Sequence, residues 1–158
     1  MDRAGPFSVF PDYQRWLTLV RGEELELNFS DGRKILRPGT VLHFPGEAAV
    51  SATIPKGAVS DLGLIYDPDR ALAKLSLLEL KGRPRSFVLS SPTVLLFAIE
   101  GEFLATLYPG EGEFLMSEGD TLLIEHCPEE RLLCVDAGEE RALMAAVEIA
   151  LVEIKSNA

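Results

Sequence analysis

The chain contains the same strand–turn–strand pattern twice, and this repeat constrains its fold more than any other feature. Residues 22–29 (Gly-Glu-Glu-Leu-Glu-Leu-Asn-Phe) match residues 101–108 (Gly-Glu-Phe-Leu-Ala-Thr-Leu-Tyr). A second match joins residues 39–42 (Gly-Thr-Val-Leu) to residues 119–122 (Gly-Asp-Thr-Leu). The separations are 79 positions (22 to 101) and 80 positions (39 to 119). A separation this constant predicts two copies of one small β unit.

Short runs of β-forming residues alternate with turn residues along both halves, a pattern typical of a sandwich or barrel. The first half has runs at residues 16–20, 25–29, 40–44 and 50–54. The second half has runs at residues 87–89, 94–99, 103–108, 112–116, 121–125 and 132–135. Between two of the first-half runs, Ser30-Asp31-Gly32 is a tight-turn signal, because glycine accepts a positive φ at little cost. The predicted fold is therefore all-β.

For two segments, the sequence is compatible with either a strand or a helix. Residues 71–80 are interpreted as a strand, although their leucine spacing also allows a short helix. In residues 141–154, alternating apolar side chains indicate a strand while a step of four indicates a helix, and a strand is favoured from about Ala146. Asp67-Pro68-Asp69-Arg70 has the composition of a joint. We therefore expect an N-terminal half of residues 1–66 and a C-terminal half of residues 67–158, packed as one globular unit.

Composition excludes several classes of function. The chain has 158 residues, 47% of them hydrophobic, which is enough for a continuous core. With 15 basic and 25 acidic residues its net charge is −10, so binding to nucleic acid or to an anionic membrane surface is not expected. Its first residues lack the apolar region of a signal peptide, and no apolar run approaches the roughly 20 residues of a membrane span. A cytoplasmic protein is expected, with Cys127 and Cys134 as reduced thiols.

The hairpin around residues 22–46 resembles that of a cupin barrel. It has Gly-Glu-x-Leu-x-Leu, a turn, and then Arg-Pro-Gly-Thr-Val-Leu-His-Phe-Pro-Gly. Two copies of such a hairpin imply a bicupin, with two fused antiparallel β-barrel or sandwich halves.

Metal-binding cupins carry the motifs G-x5-H-x-H-x3-4-E-x6-G and G-x5-P-x-G-x2-H-x3-N, and this chain does not keep their ligands. In the first copy Arg15 falls at the Glu position. The His positions fall on Ser8 and Phe10 (or Val9 and Pro11) and on Val50. In the second copy the ligand positions fall on Val94, within residues 87–90 and on Glu130. Because the whole chain has only two histidines, His43 and His126, we expect no metal and no other cofactor.

A closer resemblance, specific over the first 65 or so residues, is to the HutD/Ves family of cupin-like proteins. Residues 4–19 carry the pattern Ala-Gly-Pro-Phe-Ser-x-Phe-Pro-x-Tyr-x-Arg-x-Leu-Thr-Leu, and residues 44–47 are Phe-Pro-Gly-Glu. The resemblance implies a bicupin with no established enzymatic activity. Members of this family are encoded near histidine-utilisation genes and are suspected of binding a pathway metabolite in a regulatory role.

This chain departs from the family pattern in three places. Gly63 stands where the family has the Asn of an Asp-x-Asn stretch, and Tyr66-Asp67-Pro68 replaces an Arg-rich sequence. The chain also begins after the Trp-Lys-Asn-Gly-Gly-Gly motif of family members. An anion-binding role of basic groups in relatives therefore does not transfer to residues 66–68.

Four residues are candidates for ligand binding: Arg15, His43, Glu47 and Asp61. A guanidinium at position 15 can hold a carboxylate with two parallel hydrogen bonds, or it can form a structural salt bridge. His43 titrates near neutral pH and can hydrogen-bond a ligand or stay structural. Glu47 and Asp61 can line the pocket mouth, cap a turn, or pair with Arg15. Glu125, His126 and Cys127 alternate in direction on a strand, so no catalytic residue is assigned.

The leading hypothesis is a non-catalytic cytosolic protein that binds a small polar or carboxylated metabolite in its N-terminal barrel. Arg15 is the anchor and His43 or Asp61 a secondary contact, which requires these side chains on one face of the sheet. A metal-free isomerase or lyase is the second hypothesis, with a carboxylate base and Arg15 as electrostatic stabiliser. The third is a structural or interaction protein that dimerises through a free strand edge.

Overall fold

The computed structural model describes residues 1–110, 112–125 and 131–152 of the chain. Every regular element in these ranges is a strand. The strands are β1 (Gly5–Pro6), β2 (Gln14–Arg21), β3 (Leu25–Phe29), β4 (Gly32–Leu36), β5 (Val41–Pro45), β6 (Ser51–Thr53), β7 (Ser60–Tyr66), β8 (Ala71–Leu80), β9 (Arg85–Leu89), β10 (Thr93–Glu100), β11 (Phe103–Tyr108), β12 (Gly112–Met116), β13 (Thr121–Glu125), β14 (Arg131–Asp136) and β15 (Ala142–Leu151). The all-β expectation is confirmed. Across the described ranges, no helix has the length and apolar character needed to cross a membrane.

The chain divides into two compact units, residues 1–72 with Val152, and residues 73–151. The N-terminal unit has sheets in the order β1-β6-β3-β4 and β5-β2-β7. The C-terminal unit has sheets in the order β9-β14-β11-β12 and β13-β10-β15-β8. Adding eight to each strand number of the N-terminal sheets gives the strand order of the C-terminal sheets, in which β8 is one additional strand. The repeat in the sequence is therefore a repeat of topology.

The repeat extends to an irregularity of the central strands. Pairing of β2 with β7 shifts register between Leu19 and Arg21, and pairing of β10 with β15 shifts between Ala98 and Glu100. A glycine with positive φ follows each shift, Gly22 at 97° and Gly101 at 75°. A Cβ on Gly101 would lie 2.5 Å from the backbone oxygen of Arg141, so both the conformation and the close approach require glycine.

Each unit has its own core, built from the inner faces of its two sheets. Side chains alternate in direction along a strand, so every second residue of the central strands points inward. In the N-terminal unit, Leu17 and Leu19 of β2 and Leu25 and Leu27 of β3 belong to one core, and all four are fully buried. The core of the C-terminal unit includes Leu96 and Ala98 of β10 and Phe103 and Ala105 of β11. Burial of each large aliphatic side chain stabilises the fold by about 1.5–3 kcal/mol.

The structure adds strands where the sequence predicted none. β7 was not predicted, because its acidic residue and its glycine are poor β formers, yet it pairs with β2 from Gln14 to Arg21. β4 completes the hairpin that the Ser30-Asp31-Gly32 turn predicted. Residues 71–80 form a strand as interpreted, and the last strand begins at Ala142, earlier than the expected Ala146. Residues 67–72 belong to the N-terminal unit.

We predict that Gly101→Ala destabilises the protein by about 2–5 kcal/mol, because a strained positive φ is combined with a steric overlap against the Arg141 backbone. Gly119→Ala is the matched control, since Gly119 also has a positive φ but no atom lies within 4 Å of the place its Cβ would take. Gly119→Ala should lower the free energy of unfolding by only about 1–2 kcal/mol. Urea unfolding of both variants measures the difference, and equal losses would show that the close approach is unimportant.

Candidate functional site

Arg15 lies inside the N-terminal unit. It belongs to β2, the central strand of its sheet, where its direct partners are Phe44 on β5 and Ile65 on β7. Alternation along β2 puts Arg15 on the same inward face as Leu17 and Leu19. Its side chain is buried, and the residue is only 6% exposed.

Aromatic rings surround the Arg15 guanidinium. Its central carbon lies 4.8 Å from the ring centroid of Phe7, 5.3 Å from that of Phe44 and 5.6 Å from that of Phe10. These distances are within the range of cation–π attraction. One terminal nitrogen, Nη1, donates a hydrogen bond to the backbone oxygen of Ser8 at 3.0 Å. The buried Nε has no hydrogen-bond partner within the described residues.

Burial and a nearby carboxylate act in opposite directions on Arg15. Burial lowers the pKa of Arg15 because it removes water from the charged form, and the negative charge of Asp61 raises it by a smaller amount. Asp61 pairs with Leu19 across β2 and β7, so it lies on the same inward face as Arg15. The net lowering of the pKa indicates that Asp61 compensates the desolvation of the guanidinium only in part.

A glycine turn holds the N-terminal segment against Arg15. The N–H of Gly46 donates to the backbone oxygen of Tyr13 at 2.7 Å, and the N–H of Phe10 donates to the backbone oxygen of Gly46 at 2.9 Å. A Cβ at position 46 would lie 2.6 Å from the Phe10 oxygen, so this close approach requires glycine. The Phe-Pro-Gly step of the sequence therefore positions the segment that brings Ser8 and Phe10 to the guanidinium.

His43 lies on the opposite face of the same sheet. It is directly across from Trp16, and their rings stack with centroids 4.2 Å apart and planes 30° apart. The hydroxyl of Tyr66 is 3.3 Å from Nε2 of His43. Since Trp16 and Arg15 are adjacent on β2, the sheet separates His43 from the guanidinium.

The structure thus brings Arg15 and Asp61 to one face and leaves the other two candidates elsewhere. Glu47 is an exposed residue of the turn after β5. His43 is therefore not a second contact to a ligand held by Arg15, because that role required both side chains on one face of the sheet. A separate ligand-binding role for His43 on the outer face, or for Glu47, stays a prediction. The positions of His126, Cys127 and Glu130 fall outside the described residues.

Sequence reasoning missed the aromatic residues of this site. Phe7 and Phe10 are part of the N-terminal pattern, but their spacing does not show that the segment folds back over β2. Phe44 could have been found, because alternation along β5 places it opposite to His43. Within residues 1–110, 112–125 and 131–152, no group of three His, Cys, Asp or Glu side chains could hold a metal ion.

The pH dependence of stability should include a contribution from His43. Burial lowers the pKa of His43, whose ordinary value is 6.5. Between the lowered pKa and 6.5 the unfolded chain binds more protons than the folded one, so the free energy of unfolding falls as the pH is lowered through this window. We expect His43→Phe, which keeps a ring stacked on Trp16, to remove this part of the acid sensitivity. Urea unfolding of both proteins across this pH range measures it, and a difference between them that stays constant with pH would contradict the prediction.

Comparisons with known proteins agree with this fold. A family model described as HutD matches residues 1–143. An uncharacterised 21.2 kDa protein in the hutC 3' region of Pseudomonas putida is 38% identical over 100 residues, which are 62% of this chain and 50% of that protein. The match therefore spans half the length of this curated relative.

Three solved structures share the architecture. A conserved protein of unknown function from Pseudomonas aeruginosa PAO1 has a TM-score of 0.88 at 28% identity, over 95% of this chain and 76% of that chain. HutD from Pseudomonas fluorescens SBW25 has a TM-score of 0.65 at 24% identity, over 97% and 76%. A cupin 2 conserved barrel domain protein from Leptotrichia buccalis has a TM-score of 0.55 at 12% identity, over 94% and 78%. The fold is that of cupin-type barrels, and with the family model matching residues 1–143, this chain belongs to the HutD family.

Proposed function

We propose that this protein is a non-catalytic, cytosolic binding protein that holds a small carboxylated metabolite in its N-terminal unit, with Arg15 as the anchor. The observation that carries the proposal is the buried guanidinium of Arg15, whose Nε has no hydrogen-bond partner among the described residues.

The hydrogen-bonding capacity of Arg15 supports this proposal. A guanidinium has five N–H donors, and a buried donor without an acceptor costs about 1–3 kcal/mol. The Ser8 carbonyl accepts from Nη1, while the rings of Phe7, Phe10 and Phe44 attract the positive charge without accepting a directed hydrogen bond of ordinary strength. A carboxylate accepts two parallel bonds from an arginine, so it matches the remaining capacity of this side chain.

Asp61 limits the kind of carboxylate that fits. It lies on the inward face with Arg15, and Gly63 adds no side chain between Asp61 and Ile65 on that face of β7. A second carboxylate close to Asp61 would be repelled, whereas an N–H or ammonium donor would be attracted. The proposed ligand therefore has one carboxylate for Arg15 and a hydrogen-bond donor for Asp61.

The family context suggests where such a ligand comes from. The Pseudomonas putida relative is described by its position in the hutC 3' region. We extend this association to the present chain and propose a metabolite of histidine utilisation, bound in a regulatory role. Histidine and urocanate both combine one carboxylate with ring or amino donors, which is the arrangement that Arg15 and Asp61 would select.

A thermal-shift titration tests the proposal. A ligand at about 100 times its Kd adds about 2.7 kcal/mol to the free energy of unfolding, which corresponds to a Tm increase of several degrees. We expect urocanate or histidine to raise the Tm of the wild-type protein and to have no effect on Arg15→Met, which keeps an apolar side chain against the phenylalanines. Glutamate and N-formylglutamate, which carry two carboxylates, should be weaker.

Arg33→Met is the matched control, because Arg33 is an exposed arginine of β4 that pairs with Glu26 at 3.1 Å. It should respond to the ligands as the wild type does. Arg15→Lys retains the charge without the planar fork and should bind more weakly than the wild type. A Tm response that persists in Arg15→Met, or no response to any carboxylate, would contradict the proposal.

A second candidate function is association of two copies, and a row of exposed apolar side chains favours it. These residues share the outer face of the sheet β12-β11-β14-β9, where Tyr108 pairs with Leu132 and Leu132 with Val88. Leu115, 68% exposed, lies on the same face across from Leu104. Exposed apolar patches of this kind often mark protein interfaces.

We predict that light scattering after size exclusion shows a dimer that Leu132→Glu converts to a monomer, because a carboxylate in the centre of the row opposes its burial against a second copy. Leu123→Glu is the matched control, since Leu123 is exposed on β13 in the other sheet of this unit. It should leave the dimer intact. A wild-type protein that stays monomeric at the highest concentration measured would exclude this second function.

A further inference from the structure

The C-terminal unit contains a cavity that the Arg15 site does not use. Its volume is about 240 Å³. An apolar cavity of about 150 Å³ is already large enough to bind benzene, so this space can accept a small organic molecule. The walls come from β8, β9, β10, β14 and β15, and they are mostly apolar, with Phe87, Leu96, Leu133 and Met144 among them. A concave, largely apolar space with few polar groups is the usual form of a small-molecule site.

One carboxylate faces this cavity. Glu148 on β15 pairs with the buried Val94 on β10, and the same face continues through Ala146 to Met144. Among the described residues that line the cavity, Glu148 is the one charged side chain, and Ser76 is the other polar one. The hydroxyl of Ser91 donates to Oε2 of Glu148 at 3.3 Å. An ionised carboxylate has about four acceptor sites, so Glu148 can accept further hydrogen bonds from a molecule in the cavity.

The two units carry opposite charges at corresponding places. In the N-terminal unit the cross-strand pair is Arg15 on β2 with Ile65 on β7. In the C-terminal unit the corresponding pair is Val94 on β10 with Glu148 on β15. The first pair therefore places a cation on the central strand, and the second places an anion on the neighbouring strand. The position on the central strand of the first unit favours a carboxylate, and the position on the neighbouring strand of the second unit favours an ammonium group.

We infer that the cavity of the C-terminal unit is a second binding site, specific for a small organic cation whose ammonium group bonds to Glu148 and whose apolar body fills the space between Phe87 and Met144. This inference does not depend on the proposed function of Arg15. The charge of Glu148 selects a cation, and the apolar walls select a body of hydrocarbon or aromatic character rather than a bare metal ion.

Isothermal titration calorimetry with three small molecules of similar shape and different charge tests this assignment. The three molecules are benzylamine, benzyl alcohol and benzoate. We expect benzylamine to bind the wild-type protein best and benzoate worst. Glu148→Gln, which keeps the size of the side chain, should weaken benzylamine binding by about tenfold or more, because a hydrogen bond to a charged group is lost. The affinity for benzyl alcohol should change little in Glu148→Gln.

Two variants complete the experiment. Glu125→Gln removes one negative charge from β13, where Glu125 is exposed and pairs with Thr93, the neighbour of Val94 that points to the outer face. It should leave benzylamine affinity unchanged. Ala146→Leu places a larger side chain into the cavity and should weaken all three probes, with thermal unfolding used to confirm that the variant folds.

Equal benzylamine affinity in the wild type and in Glu148→Gln would overturn the assignment, as would the absence of benzylamine binding or a preference for benzoate. Asp61→Asn separates this site from the N-terminal one, because Asp61 is the inward carboxylate that would attract an amine there. Benzylamine binding should survive in Asp61→Asn, and its loss there would place the amine in the N-terminal unit instead.

Discussion

The N-terminal unit holds a guanidinium inside its β core, and the side chains around it are arranged to compensate this buried charge. Arg15 belongs to the central strand of its sheet, so its inward direction follows from the same alternation that buries Leu17 and Leu19. A charged group in that position is costly unless other groups compensate it. Phe7, Phe10 and the Ser8 carbonyl provide part of the compensation. The turn at Gly46 and the pairing of β1 with β6 hold the N-terminal segment that carries these groups.

The repeat explains how one chain can present two different interiors. Both units share strand order, the register shift in the central strand and the glycine that follows it. The backbone is therefore common to both, while the side chains at a few inward positions differ. The charged residue differs between the units in its strand and in the sign of its charge. This difference alters the chemistry of the interior, while the pairing of the strands stays the same.

Local sequence patterns predicted the hairpins of the fold, but they did not predict strands that form only by pairing with a strand distant in the sequence. The turn residues and runs of β formers located the hairpins of β3 with β4 and β11 with β12, because these contacts are close in sequence. β7 was missed, since its Asp61 and Gly63 are poor β formers and only pairing with β2 makes it a strand. For the cavity of the C-terminal unit, the alternation of apolar residues along β15 indicated only a strand, and it could not show that the face carrying Glu148 lines a cavity.

The residue pattern alone predicts the all-β class, the two copies of one unit and the opposite directions of Arg15 and Trp16. These properties follow from side-chain alternation and turn chemistry, which act over a few residues. Three other features became visible only in the folded chain: Asp61 lies on the inward face with Arg15, His43 stacks on Trp16 on the outer face, and Glu148 faces an apolar cavity. Each of these depends on pairing between strands distant in the chain, where the register sets which side chains meet.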